Sequence, residues 1–457
     1  MPDGSVFSLY VLFFLSLFIF QQGASKEFLR LCYFPSWASS RPSPLASYGV
    51  SDIDPKLCTH IVYAFGKIDR DSKLLVPTTP LLEDSRPNFV GKYRLFNDIK
   101  RENSRLKTLL SLGGQNDDGS GFKIITESDI IVKRFAENAV KFLRKRDFDG
   151  LDIDWEYPTK ETKRSFVLLL KALREAFDAE VANGHSKLLL TIAGPPGLYY
   201  IEPGYDIHNI ARYVDYVNLM TYDYTTKNAQ IAAFNSPLYS RKDMRFDATL
   251  STDWTVRYWH DRGLPFHKML VGITGVGRRL VLSNVNETEV GSDVTGEIRT
   301  GDVYGIPGGL VYPEICTMLN SIKTKRYFDY EQRVPYLVKG DDWVGYEDEE
   351  SISVKIPWMM RLGVAGVMFW SLDQDDFTGK FCDDGKYPLL RAMKAAITKE
   401  IGPVSGEDVN PDIVFLTGHN QAVSRTNSIP LIYLCCCLHV AIVLFTCTVL
   451  SADGMFN

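Results

Sequence analysis

Between Asp149 and Tyr157 the chain reads Asp-Gly-Leu-Asp-Ile-Asp-Trp-Glu-Tyr. Residues two apart on a strand share a face, so Asp152, Asp154 and Glu156 line one side. Leu151, Ile153 and Trp155 line the other, towards a helical layer. Like charges this close cannot all ionise readily, so at least one acid must keep or share a proton. That keeps a carboxylic acid ready to donate near neutral pH, as general acid catalysis requires. Asp149 has the opposite parity and reads as structural. The competing reading is an acidic metal site or a solvated acidic turn. Against it, the flanking residues are apolar or aromatic and no His accompanies the acids. No metal and no cofactor is expected.

The elements that must hold these acids follow from pattern. Eight apolar runs recur, at Leu29–Tyr33, His60–Phe65, Lys107–Leu112, Gly150–Asp154, Leu188–Ala193, Tyr216–Met220, Met269–Ile273 and Val364–Trp370. Such runs suit strands buried on both faces of a parallel sheet. Amphipathic stretches such as Asp129–Arg144, Thr162–Ala182 and Pro388–Glu400 lie between them. The alternation predicts an α/β fold, a (β/α)8 TIM barrel. A doubly wound open sheet is the rival, but no Gly-rich phosphate turn follows the first strand. The long stretch between the seventh and eighth runs is improbable as a bare loop. It predicts a small inserted α+β domain near 275–347, between strand 7 and helix 7. Active sites of such barrels sit at the C-terminal strand ends, where the three acids fall.

At 457 residues, with 45% hydrophobic and 23% charged content, the chain can bury a large core. A net charge of -5 leaves no basic footprint for nucleic acid. Residues 1–25 read as an export signal: Val6–Phe20 is almost wholly apolar, and Gly23, Ala24 and Ser25 are small. An uncleaved N-terminal anchor is the alternative. The body is expected over 26–400 and a polar linker over 401–428. Residues 429–450 are apolar and about long enough to span a bilayer. They read as a membrane anchor or as the discarded tail of a GPI signal with Gly418 as attachment residue; a buried or disordered tail is the plainer alternative. Of eight cysteines, Cys32, Cys58, Cys316 and Cys382 lie in the body and Cys435, Cys436, Cys437 and Cys447 in the apolar tail. The first four lack close metal-ligand spacing and suggest two disulfides, with three connectivities open. Asn286-Glu287-Thr288 is a glycosylation sequon.

The stretch Phe148–Tyr157 resembles the DxxDxDxE signature of glycoside hydrolase family 18, the chitinases and chitinase-like lectins. The resemblance covers roughly 28–400. It includes Leu31-Cys32-Tyr33-Phe34, Leu57-Cys58-Thr59-His60, Ser111-Leu112-Gly113-Gly114, Val217 to Asp223, Asn235 to Tyr239 and Met368 to Asp373. It implies a TIM barrel with an α+β insertion and the pairings Cys32–Cys58 and Cys316–Cys382. It also implies substrate-assisted chemistry, in which the sugar's own acetamide attacks its anomeric carbon. Glu156 would be the general acid and then base, and Asp154 would orient the acetamide. Asp152 would share a proton with Asp154, and Tyr222 would donate to the acetamide oxygen. Asp223 and Arg278 would contact sugar, Trp370 would form the floor, and Tyr157 and Met220 would line the site. Gly113, Gly114, Gln115, Asn116, Thr221 and Trp37 complete the expected substrate-binding set.

The departures bear on binding. Family chitinases usually carry Trp where this chain has Gln115, and many carry another near Asn228. The Tyr two residues before the sugar-contacting Arg is Val276 here. Three polymer-contacting aromatics are thus replaced, and a weak grip on long chitin is expected. The leading expectation is a secreted chitinase acting on chitin or N-acetylglucosamine oligomers, held at the cell surface if the tail anchors it. The alternatives are a chitin-binding lectin or matrix protein, or hydrolysis of another N-acetylated glycan. Retention of Glu156 favours the enzyme. The sequence carries no oligomer signal.

Overall fold

The apolar runs become strands because their residues find cover on both faces. The computed structural model describes residues 27–401; the expected export signal, the linker beyond 401 and the apolar segment 429–450 lie outside the described residues. In chain order the strands are β1 (Leu29–Pro35), β2 (His60–Asp69), β3 (Leu74–Pro77), β4 (Lys107–Gly113), β5 (Gly150–Asp154), β6 (Leu189–Gly194), β7 (Tyr216–Leu219) and β8 (Met269–Thr274). They continue as β9 (Val276–Val281), β10 (Gly309–Val311), β11 (Lys325–Asp329), β12 (Val334–Lys339), β13 (Asp342–Gly345) and β14 (Gly366–Trp370). Strands β1, β2, β4, β5, β6, β7, β8 and β14 pair in parallel, and β1 closes the ring by pairing with both β2 and β14. The result is a (β/α)8 TIM barrel, each of whose strands falls within a residue or two of, or extends, one of the eight apolar runs. Strand β3 adds to β2 antiparallel.

Every residue of β1, β5 and β8 is buried. Inward residues such as Leu31, Val62, Leu109, Leu270 and Met368 fill the barrel. Outward ones, including Leu151, Ile153 and Trp155, join the layer between barrel and helices. Trp155 stacks on Phe122 at 4.9 Å and meets Phe166 edge-on at 5.8 Å. Each fully buried side chain of this size contributes about 1.5–3 kcal/mol. The outer helices carry their own start signals. Ser128 caps Asp129–Lys145 by accepting from the Ile131 amide, and Asp348 caps Glu349–Leu362 by accepting from the Ser351 amide. The second of these ends on Gly363 at φ 74°, a left-handed stop that suits glycine.

Between β8 and the helix Glu349–Leu362 the chain builds a second sheet of antiparallel strands in the order β10-β9-β13-β12-β11. Phe234, Leu280, Val334, Tyr336 and Trp343 form its core. Disulfide Cys32–Cys58 joins β1 to the segment leading into β2. Disulfide Cys316–Cys382 joins the helix Tyr312–Leu319 to the segment after β14. Among the described residues no helix is long and apolar enough to cross a membrane.

Candidate active site

Strand register sets the deepest carboxylate. Asp152 stands beside Ser111 on β4 and Thr191 on β6. It is fully buried, and each oxygen accepts two hydrogen bonds. Oδ2 accepts from Tyr33 Oη at 2.9 Å and Ser111 Oγ at 2.7 Å; Oδ1 accepts from Thr191 Oγ1 at 2.6 Å and Asn218 Nδ2 at 3.0 Å. Asn218 also donates to Tyr33 Oη at 3.0 Å. Burial pushes the Asp152 carboxyl up, and the four donors pull against that rise. The four donors hold the Asp152 carboxyl in place from four strands, β1, β4, β6 and β7.

Asp154, at the end of β5, is 4% exposed, and its Oδ1 is buried without a hydrogen-bond partner. Burial, then the charges of Glu156 and Asp152, hold its carboxyl well above the usual range. Glu156 follows the strand and stays partly open to solvent. Burial, with Asp223 adding to it and the Tyr157 hydroxyl opposing it, pushes Glu156 up to about 7. The ladder therefore runs from a fully donated carboxylate, through an unpartnered acid, to an accessible acid that titrates near neutrality.

The walls come from other strand ends. The Gly114 amide donates to the Asp154 carbonyl at 2.8 Å. Gly113 sits at φ 109°, where a Cβ would run into that carbonyl, so the close approach of β4 to β5 requires glycine. Gln115 and Asn116 are exposed just beyond this turn. Tyr222 is buried, with its hydroxyl 3.8 Å from Met368 Sδ. Burial raises it, and the charges of Asp223, Asp154 and Glu156 add to the rise. Asp223 accepts from Arg278 Nη2 at 2.7 Å. Trp370 lies 5.3 Å from Tyr33, and Trp37 stacks on Phe65 at 5.7 Å. Phe65 in turn stacks on Trp370 at 6.3 Å, and Trp37 is 45% exposed, so an aromatic floor runs outward from the carboxylates. Tyr157 meets the ring of Tyr200 at 4.3 Å, and Met220 packs on the inward barrel cluster.

One expected contact residue falls elsewhere. Thr221 is fully buried and its hydroxyl donates to Gly272 O at 2.7 Å, so its side chain is committed to the barrel wall and is not presented to a ligand. Asp149 accepts from the Thr108 amide and from Lys100 and Lys107. Asn286 is exposed on the loop after β9. Gln115 and Asn228 are exposed, and Val276 is half-buried opposite Val311. Motif reading missed Tyr33, Ser111, Thr191 and Asn218 as partners of Asp152, and Phe65 in the floor. The available signal was a hydrogen-bonding residue inside each of four otherwise apolar strands, at inward parity.

The glycosyl hydrolases family 18 model matches residues 30–375. The chain belongs to glycosyl hydrolase family 18. Among its relatives in the family, human chitinase-3-like protein 2 is 33% identical over 385 residues, covering 83% of this chain and 95% of that protein. Mouse chitotriosidase-1 is 32% identical over 406 residues, covering 87% of this chain and 84% of that protein. Among solved family structures, the immunomodulatory active chitinase of Trichuris suis is 33% identical with a TM-score of 0.75, covering 81% of this chain and 100% of that one. Human YKL-39, described as a pseudo-chitinase with retained chitooligosaccharide binding properties, is 32% identical with a TM-score of 0.74, again over 81% and 100%. The family thus holds both turnover and binding without turnover on one barrel.

Proposed function

We propose that this protein is an extracellular chitinase, cleaving β-1,4 links between N-acetylglucosamine residues by substrate-assisted retaining catalysis. The observation that carries the reading is Glu156, an accessible acid pushed up to about 7 beside the buried, unpartnered Asp154 oxygen. Glu156 donates its proton to the leaving oxygen as the acetamide oxygen of the same sugar attacks the anomeric carbon. The Asp154 oxygen left unpartnered accepts from the acetamide N–H and stabilises the positive oxazolinium. Tyr222 donates to the acetamide oxygen, and Asp152, held by its four donors, supplies a fixed negative field beneath Asp154. Glu156 then takes a proton from water, which opens the ring with net retention. The Trp370 and Trp37 floor gives the apolar faces of the sugars a surface to stack on.

A second reading, a chitin-binding lectin, is favoured by Gln115, Asn228 and Val276 in place of polymer-contacting aromatics. The experiment is turnover of chromogenic chitobiose and chitotriose substrates by the purified protein and by Glu156→Gln. Turnover lost in the variant supports the enzyme. A folded wild type that binds oligomers without cleaving them leaves the lectin. The extracellular site of action is supported by the two disulfides and the apolar leader. Release from cells by a phosphatidylinositol-specific phospholipase separates a GPI anchor from a spanning helix or free secretion.

A further inference from the structure

The carboxylate ladder makes no use of the buried ion pair behind it. Lys355 lies in the helix Glu349–Leu362 with no exposed side chain, and its ammonium donates to Glu347 Oε1. It also donates to Ser236 O at 2.5 Å and Ser236 Oγ at 3.1 Å. Glu347 Oε2 accepts from Ser351 Oγ at 2.7 Å. Taking an ion pair out of water is costly, and an apolar pair of similar volume is often as stable or more so. The pair is therefore weak evidence for stability, and its use lies in what it holds.

What it holds is the turn after β7. Ser236 Oγ donates to Thr221 O at 2.7 Å, and Thr221 immediately precedes Tyr222 and Asp223. The two segments run side by side: the Tyr224 amide donates to Asn235 O at 3.1 Å and Thr225 Oγ1 to Phe234 O at 2.8 Å. Asn235 Nδ2 donates to Val276 O at 3.0 Å, close to Arg278. Asp223 sits at φ 59°, a left-handed conformation that Asp adopts more readily than most side chains.

We propose that Lys355 is a positioning residue which, through Ser236, sets the Thr221 carbonyl and with it the Tyr222 hydroxyl and the Asp223–Arg278 pair, touching no ligand itself. The inference rests on the reading of Tyr222 and Asp223 as substrate-facing groups. A charged donor anchored to a helix of the outer layer fixes this turn in a way a surface hydroxyl could not, because burial excludes competing water.

The test uses Ser236→Ala and Lys355→Met in the full chain. Ser236→Ala removes only the hydroxyl relay and leaves the Lys355–Glu347 pair and the bond to Ser236 O. Amide exchange over 219–225 by mass spectrometry is expected to quicken by about fivefold in Ser236→Ala, with β4 and β6 unchanged. The kcat on chitotriose substrate is expected to fall by about fivefold with KM moving less, since Tyr222 acts on the reacting acetamide. Unchanged exchange over 219–225, or exchange raised equally across the barrel, overturns the proposal. If Lys355→Met does not fold, Ser236→Ala decides alone. If the wild type has no turnover, the catalytic reading fails, while the exchange result still decides the positioning.

Discussion

Replacing Glu156 by Gln should make the protein more stable at neutral and alkaline pH, even as it abolishes turnover. The carboxyl moves from its ordinary 4.5 up to about 7 on folding, chiefly through burial. At about 1.4 kcal/mol per tenfold change in proton affinity, that is about 3 kcal/mol of disfavoured charge. The folded-state pKa lies above the unfolded one, so the folded chain binds the proton more tightly. Stability from this group is fully present below about pH 4.5 and is lost as pH rises through about 7. Gln carries no such proton. Urea denaturation of wild type and variant across this range should therefore show their difference growing by up to about 3 kcal/mol in favour of Gln. Part of that gain comes through Asp154, whose carboxyl is also held up by the Glu156 charge. Other titrating groups are common to both proteins and cancel in the difference. In the same window, wild-type kcat/KM should fall as pH rises above about 7, with loss of one proton. A stability difference that stays flat with pH would refute the reasoning, because Glu156 would then ionise as it does in water.

The remaining predictions concern its surroundings. Tyr33→Phe removes one of the four donors to Asp152 and should destabilise the protein by about 1.5–3 kcal/mol at neutral pH, read by urea denaturation. Gln115→Trp restores an aromatic beyond the Gly113–Gly114 turn; calorimetry with chitotetraose should show affinity rising by about twofold to about tenfold. Replacing Cys316 and Cys382 together by Ser reopens a 66-residue loop and should lower stability by about 4 kcal/mol, with Cys32–Cys58 left intact as an internal control.

Local periodicity carries far in this chain. The alternation of Asp152, Asp154 and Glu156 with Leu151, Ile153 and Trp155 dictates which side chains leave which face of β5, and the structure keeps that division. The eight apolar runs likewise point to a parallel sheet covered by helices on its faces, which is the environment a strand buried on both sides requires; closure into a barrel is seen in the pairing of β1 with both β2 and β14. Pairing of the four body cysteines was not legible from spacing, since three connectivities were open until resemblance narrowed them. What tertiary structure alone decided is the environment of each acid. Two donors to Asp152 come from β4 and β6 beside it, and the other two come from β1 and β7 farther round the barrel, whose curvature turns all four inward side chains onto one carboxylate. The adjoining strand β8 takes the Thr221 hydroxyl into the barrel wall, where the resemblance implied a ligand contact. Parity is a property of neighbouring residues and can be read along the chain. Desolvation and hydrogen bonding, which tune each carboxyl, depend on residues distant in sequence that arrive on neighbouring strands and from farther round the barrel.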